Sequence, residues 1–369
     1  MMVRRRIGRA LILLLVALGA CSKERGTYRG VVVLDRSTAR PIVATWATSK
    51  ATESTDPGDP LADLYEPVDV AIGPGDSIYV ADMGSGRIIV YSPEGRPART
   101  IGRFGQGPGE FEHLRTVTID GEGRIWAGEM GRLQVLSADG ECLALSTLAR
   151  FFPLSPVLAA LPDGRVWAGG SFLRLVQEED GWAIASADNV VDLLAHDPAK
   201  TLKAQKRLRV LDVISQLGVR SSHGYVLLAH LVTARKPYAW LQEFDQNGVL
   251  KSVFDVDPAC TDSNYIATKR MLGDDGYMPA FRRLLIDQRG DAVLVTADPP
   301  LLCRFDPLRC AFADVSEIHF RSSDNGMQRL PTAWSAAVDS QGRIVVTGIT
   351  KSLKRVVMQL PWQEGGDVS

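Results

Sequence analysis

Histidine is scarce in this chain, with five in 369 residues: His113, His196, His223, His230 and His319. None belongs to an HExxH helix or lies close to a Cys/His cluster, which excludes a zinc centre built from one stretch of sequence. No Gly-x-Ser-x-Gly elbow accompanies the serines, so the hydrolase nucleophile that such an elbow presents is missing too. The glycine-rich run Gly102–Gly109 has no Lys-Ser/Thr and no helix after it, and it reads as a turn and not as a phosphate cradle. Charge of one sign is not in excess, since 42 Lys and Arg face 43 Asp and Glu. Four of the arginines sit in an N-terminal segment that reads as removable, which leaves the mature chain mildly acidic. A chain without a basic face is not a general nucleic-acid binder. The one basic run, Lys200–Arg209, reads as a solvated face.

A pattern that repeats is present instead. Residues 66–102 and 114–148 share one plan: an apolar run (Val68–Ile72, then Val117–Ile119), a turn of Gly, Asp, Glu or Pro, and a second run (Ile78–Val80, then Ile125–Ala127). A Gly-rich turn follows, then a third run (Arg87–Tyr91, then Leu133–Leu136) and a tight hairpin turn. The period lies in the forties, the signature of small sheets that cannot bury their faces alone. Weaker copies occupy Ser155–Ser186, Tyr225–Asp255, Arg283–Val315 and Ala333–Trp362. They are tied together by an apolar strand, an Asp-x-x-Gly type of turn and another apolar strand, as in IDGEGRIW, LPDGRVW, IDQRGDAVLV and VDSQGRIVV. Asn247-Gly248 marks a further hairpin. Six such units specify an all-β fold, a six-bladed β-propeller of four-stranded antiparallel blades. The blades are expected at about 66–102, 113–148, 153–186, 216–256, 279–315 and 331–362. The last unit is one strand short, and an N-terminal strand within 31–46 (Val31–Asp35 or Pro41–Trp46) is expected to complete it and close the ring. Residues 187–224 fit the repeat badly, and Ala195–Val213 is expected as a helix or long loop.

The N-terminus carries Arg4, Arg5, Arg6 and Arg9 before the apolar run Ala10–Leu18, and then Gly19, Ala20 and Cys21. A basic start, a short apolar middle and small residues at a cut site predict a secretory signal peptide over 1–20, too short to span a bilayer as a mature helix. Removal of Cys21 from the count leaves Cys142, Cys260, Cys303 and Cys310, an even number for an oxidising compartment. Cys303 and Cys310 flank an Asp306-Pro307 hairpin tip and are expected to form a disulfide. Cys142 and Cys260 could pair or remain as two buried thiols.

Two resemblances refine this reading. Leu18-Gly19-Ala20-Cys21 resembles the lipobox of bacterial lipoproteins, which implies lipidation at Cys21, a tether over 21–27 and attachment to the cell envelope. Ser22 in place of an aspartate implies the outer membrane. VAIGPGDSIYVADMGSGRIIVYSPEG and IGRFGQGPGEFEHLRTVTIDGEGRIWAGE resemble NHL repeats, including Asp82 and Arg87, with Gly128 set opposite Asp82 in the second unit. Together they resemble the six-bladed propeller lipoproteins of environmental and gut bacteria, with the propeller over 28–369. The motif specifies architecture and leaves activity open.

Asp82 and Arg87 are read as structural, the carboxylate satisfying turn N–H groups. A ligand face is expected where the loops entering each first strand, and those joining second to third strands, meet around the channel. That rim comprises Tyr65, His113, Arg115, Phe152, His223, Arg282 and Trp334 from strand entries, and Glu129, Phe172 and Lys236 from the other loops. Aromatics, arginines and a carboxylate suit a polar or anionic glycan, peptide or protein partner. The expected function is non-catalytic binding or scaffolding by a membrane-anchored monomer without a cofactor. The alternative is a propeller lyase or lactonase-type hydrolase with axial Ca or Zn, for which His113 and His223 are the only candidate ligands.

Overall fold

The structure, a computed structural model, describes residues 27–49, 63–129, 131–147, 157–187, 213–220, 224–231, 239–257, 281–296, 299–322 and 326–362. The alternating apolar runs form antiparallel sheets in chain order, each a blade. Blade one is Pro67–Ile72, Ile78–Asp82, Arg87–Tyr91 and Pro97–Ile101; blade two is Leu114–Ile119, Ile125–Glu129, Arg132–Leu136 and Cys142–Ser146. Blade three is Leu158–Ala160, Val166–Ala168, Ser171–Glu178 and Gly181–Ala187; blade four is Val213–Arg220, Gly224–Leu231, Ala239–Phe244 and Leu250–Asp257. Blade five is Phe281–Ile286, Ala292–Thr296, Leu301–Asp306 and Ala311–Ser322; blade six is Thr332–Val338, Ile344–Ile349, Arg355–Leu360 and Trp46–Thr48. The expected six-bladed propeller is therefore observed. Among the described residues no helix is long and apolar enough to cross a membrane.

A single four-stranded blade cannot cover both its faces, and the six hydrophobic clusters show where the apolar surface goes. Each fills one seam between neighbouring blades, from the blade one–two seam (Tyr79, Ile88, Phe111, Leu114) to the blade six–one seam (Val70, Ile89, Val345, Val357). Trp126, Trp167, Trp240 and Phe254 are wholly buried in such seams. The turns that return each inner strand are held by their own sequence. Asp120 accepts the N–H groups of Glu122 and Arg124, Asp287 those of Arg289 and Asp291, and Asp339 those of Gln341 and Arg343. Such Asx-type caps satisfy backbone donors that a hairpin otherwise leaves to water.

An N-terminal strand closes the ring as expected, though at shifted bounds. Trp46–Thr48 is the strand that closes blade six, antiparallel to Arg355–Leu360, so closure lies almost entirely beyond 31–46. Thr27–Val33 and Arg40–Val43 instead add parallel fifth strands to the outer edges of blades four and five. The reason is burial: Val32 and Leu34 drop into the seam between blades four and five. Trp46 then donates Nε1–H to Gln359 at 3.1 Å. It also seats its ring against Gly95 of blade one, where a Cβ would come within 2.6 Å of it and φ is +80°. One arm thus straps three blades and joins the last to the first. Of the segment Ala195–Val213, only Val213 lies within the described residues, as the first residue of blade four.

The expected Cys303–Cys310 bridge is absent. Cys303 sits in the blade-five ladder opposite Val315, and the chain turns before Cys310, so the two are not cross-strand partners. Both are free thiols, as is Cys142. Cys303 is wholly buried and its thiol pKa is pushed up by that burial. Cys260 lies outside the described residues.

Candidate functional site at the channel mouth

The inner strands of blades one, two, five and six each carry a bulge at their second residue or close to it. The register slips between Pro67 and Asp69, Leu114 and Thr116, Phe281 and Arg283, and Ala333 and Ser335. Bulges re-aim side chains at the ends of strands. Here they leave Val68, Arg115, Arg282 and Trp334 at the mouth of the channel and set the next residues, Asp69, Thr116, Arg283 and Ser335, one layer deeper. Blades five, six, one and two are consecutive around the ring, so the two rows form an arc.

The deeper row is a closed hydrogen-bond network centred on Asp69. Its carboxylate accepts from the Ser335 hydroxyl at 2.6 Å, the Thr116 hydroxyl at 2.7 Å and the Val117 N–H at 3.0 Å. It also accepts the Val70 N–H at 2.9 Å and faces the Arg283 guanidinium at 3.4 Å. Asp69 is buried, so every one of these donors counts. Thr116 extends the network to blade three through the Leu158 N–H at 3.4 Å. Gln216 of blade four donates to the Arg282 carbonyl at 3.0 Å and accepts the Leu284 N–H at 2.7 Å. None of these tying residues was among the expected site residues. The available signal was charge inside a mainly apolar inner strand, Asp69 in PVDVAI and the adjacent Arg282 and Arg283 in FRRLLI, since a buried charge needs a partner.

The upper row holds three expected rim residues together: Arg115, Arg282 and Trp334 are partly buried at this level. The Nε of Arg115 is buried without a hydrogen-bond acceptor among the described residues. Tyr65 and His113 are exposed on the same face. A residue that the sequence did not flag joins them. Phe104 is 64% exposed on the loop between blades one and two. That loop is fixed by Glu110, which accepts the Gly107 N–H at 2.9 Å and pairs with Arg103 at 2.6 Å. The Gly107 N–H, and then Arg103, hold the Glu110 carboxyl below its ordinary range.

Two expected rim residues are not on the rim. Glu129 is buried and accepts the N–H groups of Glu112 at 2.8 Å and His113 at 3.0 Å, with Arg132 at 2.6 Å. It is the counterpart of Asp82, which accepts from Glu66, Tyr65 and Ser85 beside Arg87. The ladder pairs Asp82 with Pro67 and Glu129 with Leu114, so Glu129 and not Gly128 occupies the Asp82 position. Phe172 is buried in the seam of blades three and four, edge-on to Trp167 at 5.0 Å and under the Arg165 guanidinium at 4.6 Å. Phe152, His223, Lys236 and Cys21 lie outside the described residues. Among the described residues no group of three or more metal-ligating side chains converges, and His113 stands apart as an exposed residue.

The opposite face is held differently. Ser340 donates its N–H and hydroxyl to Asp76, Gln288 donates to the Ser340 carbonyl, Arg220 to the Gly290 carbonyl and Arg165 to the Tyr225 hydroxyl. These bonds run from blade three to four, four to five, five to six and six to one, so these turn residues join neighbouring blades.

No family model matches the chain, and no curated protein matches it. Among solved structures it is similar to a gluconolactonase from Xanthomonas campestris, at 14% identity over 79% of this chain and 85% of that one, with a TM-score of 0.43. It is also similar to virginiamycin B lyase from Staphylococcus aureus, at 11% identity over 80% of this chain and 95% of that one, TM-score 0.43. A catalytically inactive form of that lyase with quinupristin matches at 10% identity over the same shares, TM-score 0.45. Likeness at this level says nothing of activity.

Proposed function

We propose that this is an exported, lipid-anchored binding or scaffold protein that holds a polar, anionic ligand at the channel mouth without transforming it. The observation that carries the reading is the contrast between the two rows of channel residues. Asp69 has its lone pairs committed to Ser335, Thr116, Val117 and Val70, with Arg283 alongside, which suits a tie between blades. Arg115, one layer above, keeps a buried Nε without an acceptor among the described residues. A carboxylate, sulfate or phosphate arriving there gains charge-assisted hydrogen bonds from a guanidinium already partly stripped of water. Trp334 and Arg282 on the same arc add apolar and cationic contact, and Tyr65, His113 and Phe104 supply an outer, exposed aromatic fringe.

Titration with a panel of acidic oligosaccharides and acidic peptides, at low and raised salt, tests the proposal. At least one class is expected to bind with salt-sensitive affinity, and Arg115→Ala and Trp334→Ala should each weaken it by about 1–3 kcal/mol with unchanged melting. Affinity untouched by both substitutions removes the site from the mouth. The metal-dependent lyase or lactonase reading is separated by elemental analysis: stoichiometric calcium or zinc, lost in His113→Ala, would favour it.

A further inference from the structure

The glycine-rich run between blades one and two holds an aromatic side chain out on the mouth face. Phe111 donates its N–H to the Arg103 carbonyl at 2.8 Å, and Gly109 donates its N–H to the Gln134 side-chain oxygen at 2.8 Å. Arg132 donates to the Gln106 and Glu110 carbonyls of the same loop. A Cβ on Gly86 would come within 2.8 Å of the Phe104 Cα, so the loop lies against the end of the blade-one turn Met83–Ser85 where a larger residue would clash. The backbone is thus fixed while Phe104 stands 64% exposed. Tyr65 packs at the middle of that turn. Its N–H is held by Asp82, a Cβ on Gly84 would come within 2.8 Å of the Tyr65 Cβ, and Tyr65 is 46% exposed. Gly84 and Gly86 are two residues apart, about 7 Å at full extension, so both aromatics border one short turn. On the chain path from each aromatic to the channel stands a carboxylate. Glu66, half-buried, lies between Tyr65 and Val68; Glu112, also half-buried, lies between Phe104 and Arg115 and accepts from the Gln106 side-chain amide at 2.9 Å.

We propose that the ligand of the mouth is an acidic oligosaccharide, its anionic group at Arg115 and its neutral rings laid over Phe104 and Tyr65. The inference rests on the reading of Arg115 as an anion site. A pyranose ring has an apolar C–H face and a rim of hydroxyls that both donate and accept. The exposed aromatic faces take the C–H face through dispersion and weak C–H contacts, and Glu66, Glu112 and the Gln106 amide take the hydroxyls. A peptide carrying a row of carboxylates meets like charge at Glu66 and Glu112, which costs affinity. One exposed aromatic on a surface needs no explanation. These two differ in their support: a stiff side chain on a backbone already fixed loses little freedom on binding, so its contact is retained as affinity. The glycine-rich run thereby does more than carry the chain from one blade to the next.

The test is calorimetric titration of the mature protein with oligosaccharides of two to five residues that each carry one uronate, sialate or sulfate. Their neutral counterparts and hexaglutamate are titrated in parallel. At least one acidic saccharide is expected to bind more tightly than its neutral counterpart and than hexaglutamate. Phe104→Ala and Tyr65→Ala should each weaken it by at least about fivefold with unchanged melting, since both side chains are exposed, and Phe104→Tyr should restore it. Arg115→Ala should remove the preference for the acidic form over the neutral one. A saccharide that loses affinity in Arg115→Ala but is indifferent to Phe104→Ala and Tyr65→Ala keeps the mouth as an anion site and overturns the aromatic platform. Hexaglutamate that binds more tightly than every saccharide, with the same dependence on Arg115, also keeps the anion site and overturns the saccharide. Binding by no member of the set overturns both.

Discussion

Substitution of Asp69 by alanine tests whether the channel is held by its deeper row. The change removes one small side chain and strands five donors from three further blades and its own strand: the Ser335 and Thr116 hydroxyls, the Val117 and Val70 N–H groups and the Arg283 guanidinium. Removing one member of a buried charge pair costs about 3–5 kcal/mol, because the remaining charge stays desolvated. The hydroxyls can turn to water that enters the vacated space, so the estimate stays within that range and is not the sum of every bond. Asp69→Ala is therefore expected to lower stability by about 3–5 kcal/mol and the apparent melting temperature by roughly 5–15 °C. The assay is thermal and urea unfolding followed by far-ultraviolet circular dichroism. A second change separates charge from packing. Arg283→Met on the Asp69→Ala background removes the orphaned guanidinium and should recover on the order of 1–2 kcal/mol. An Asp69→Ala protein within about 1 kcal/mol of wild type would refute the argument, since a carboxylate saturated by donors on several blades cannot then be what joins them.

His230 is wholly buried, and burial pushes its pKa down to about 3. Its folded pKa lies below the unfolded value of about 6.5, so the unfolded chain binds the extra proton and stability falls as pH drops from about 6.5 toward 3, then levels off, with a slope of up to ~1.4 kcal/mol per pH unit. Urea unfolding of wild type and His230→Leu across that window should differ by one proton of linkage, and parallel curves would refute it. Deletion of residues 27–48 strips a strand from each of blades four, five and six, and should lower the melting temperature or abolish folding; a deletion that melts like the intact mature domain rules the strap out. Cys310, partly exposed, should alkylate in native protein while Cys303 reacts only after unfolding. Peptide mapping without reductant that recovers a linked Cys303–Cys310 pair would contradict that pattern.

The repeats were legible because their turns encode them locally. Asp120, Asp287 and Asp339 each cap a turn with a carboxylate four residues before its last bonded N–H, so the sequence mark and the hydrogen bond coincide. The arm was legible only as strand. Thr27–Val33 and Arg40–Val43 join their blades through backbone bonds along parallel edges, and an edge has no side-chain pattern that names its partner. Glu129 and Phe172 were misplaced for a related reason. A loop-end residue and a strand-end residue look alike in sequence, and only ladder register tells which one turns inward to cap a neighbouring strand. The disulfide expectation failed on the same point: the hairpin register sets Val315, not Cys310, opposite Cys303.

Arg115 and Arg283 show how one fold feature yields two roles. Each is in the bulged stretch of an inner strand, Arg115 at the bulge of blade two and Arg283 just after the bulge of blade five. The deeper position gives Arg283 the Asp69 carboxylate, and its charge is spent on the ring. The shallower position leaves Arg115 with a buried Nε and no acceptor among the described residues. On the far face Asp76, Ser340, Gln288 and Arg220 are likewise spent on fastening adjacent blades. A ligand drawn to the far face would have to compete with bonds that hold the ring closed. On the proposed reading, one drawn to the mouth meets a guanidinium whose buried Nε has no acceptor among the described residues, and it need not displace a bond between blades. The proposal that ligand binds at the mouth rests on this division of polar groups, and not on concavity alone.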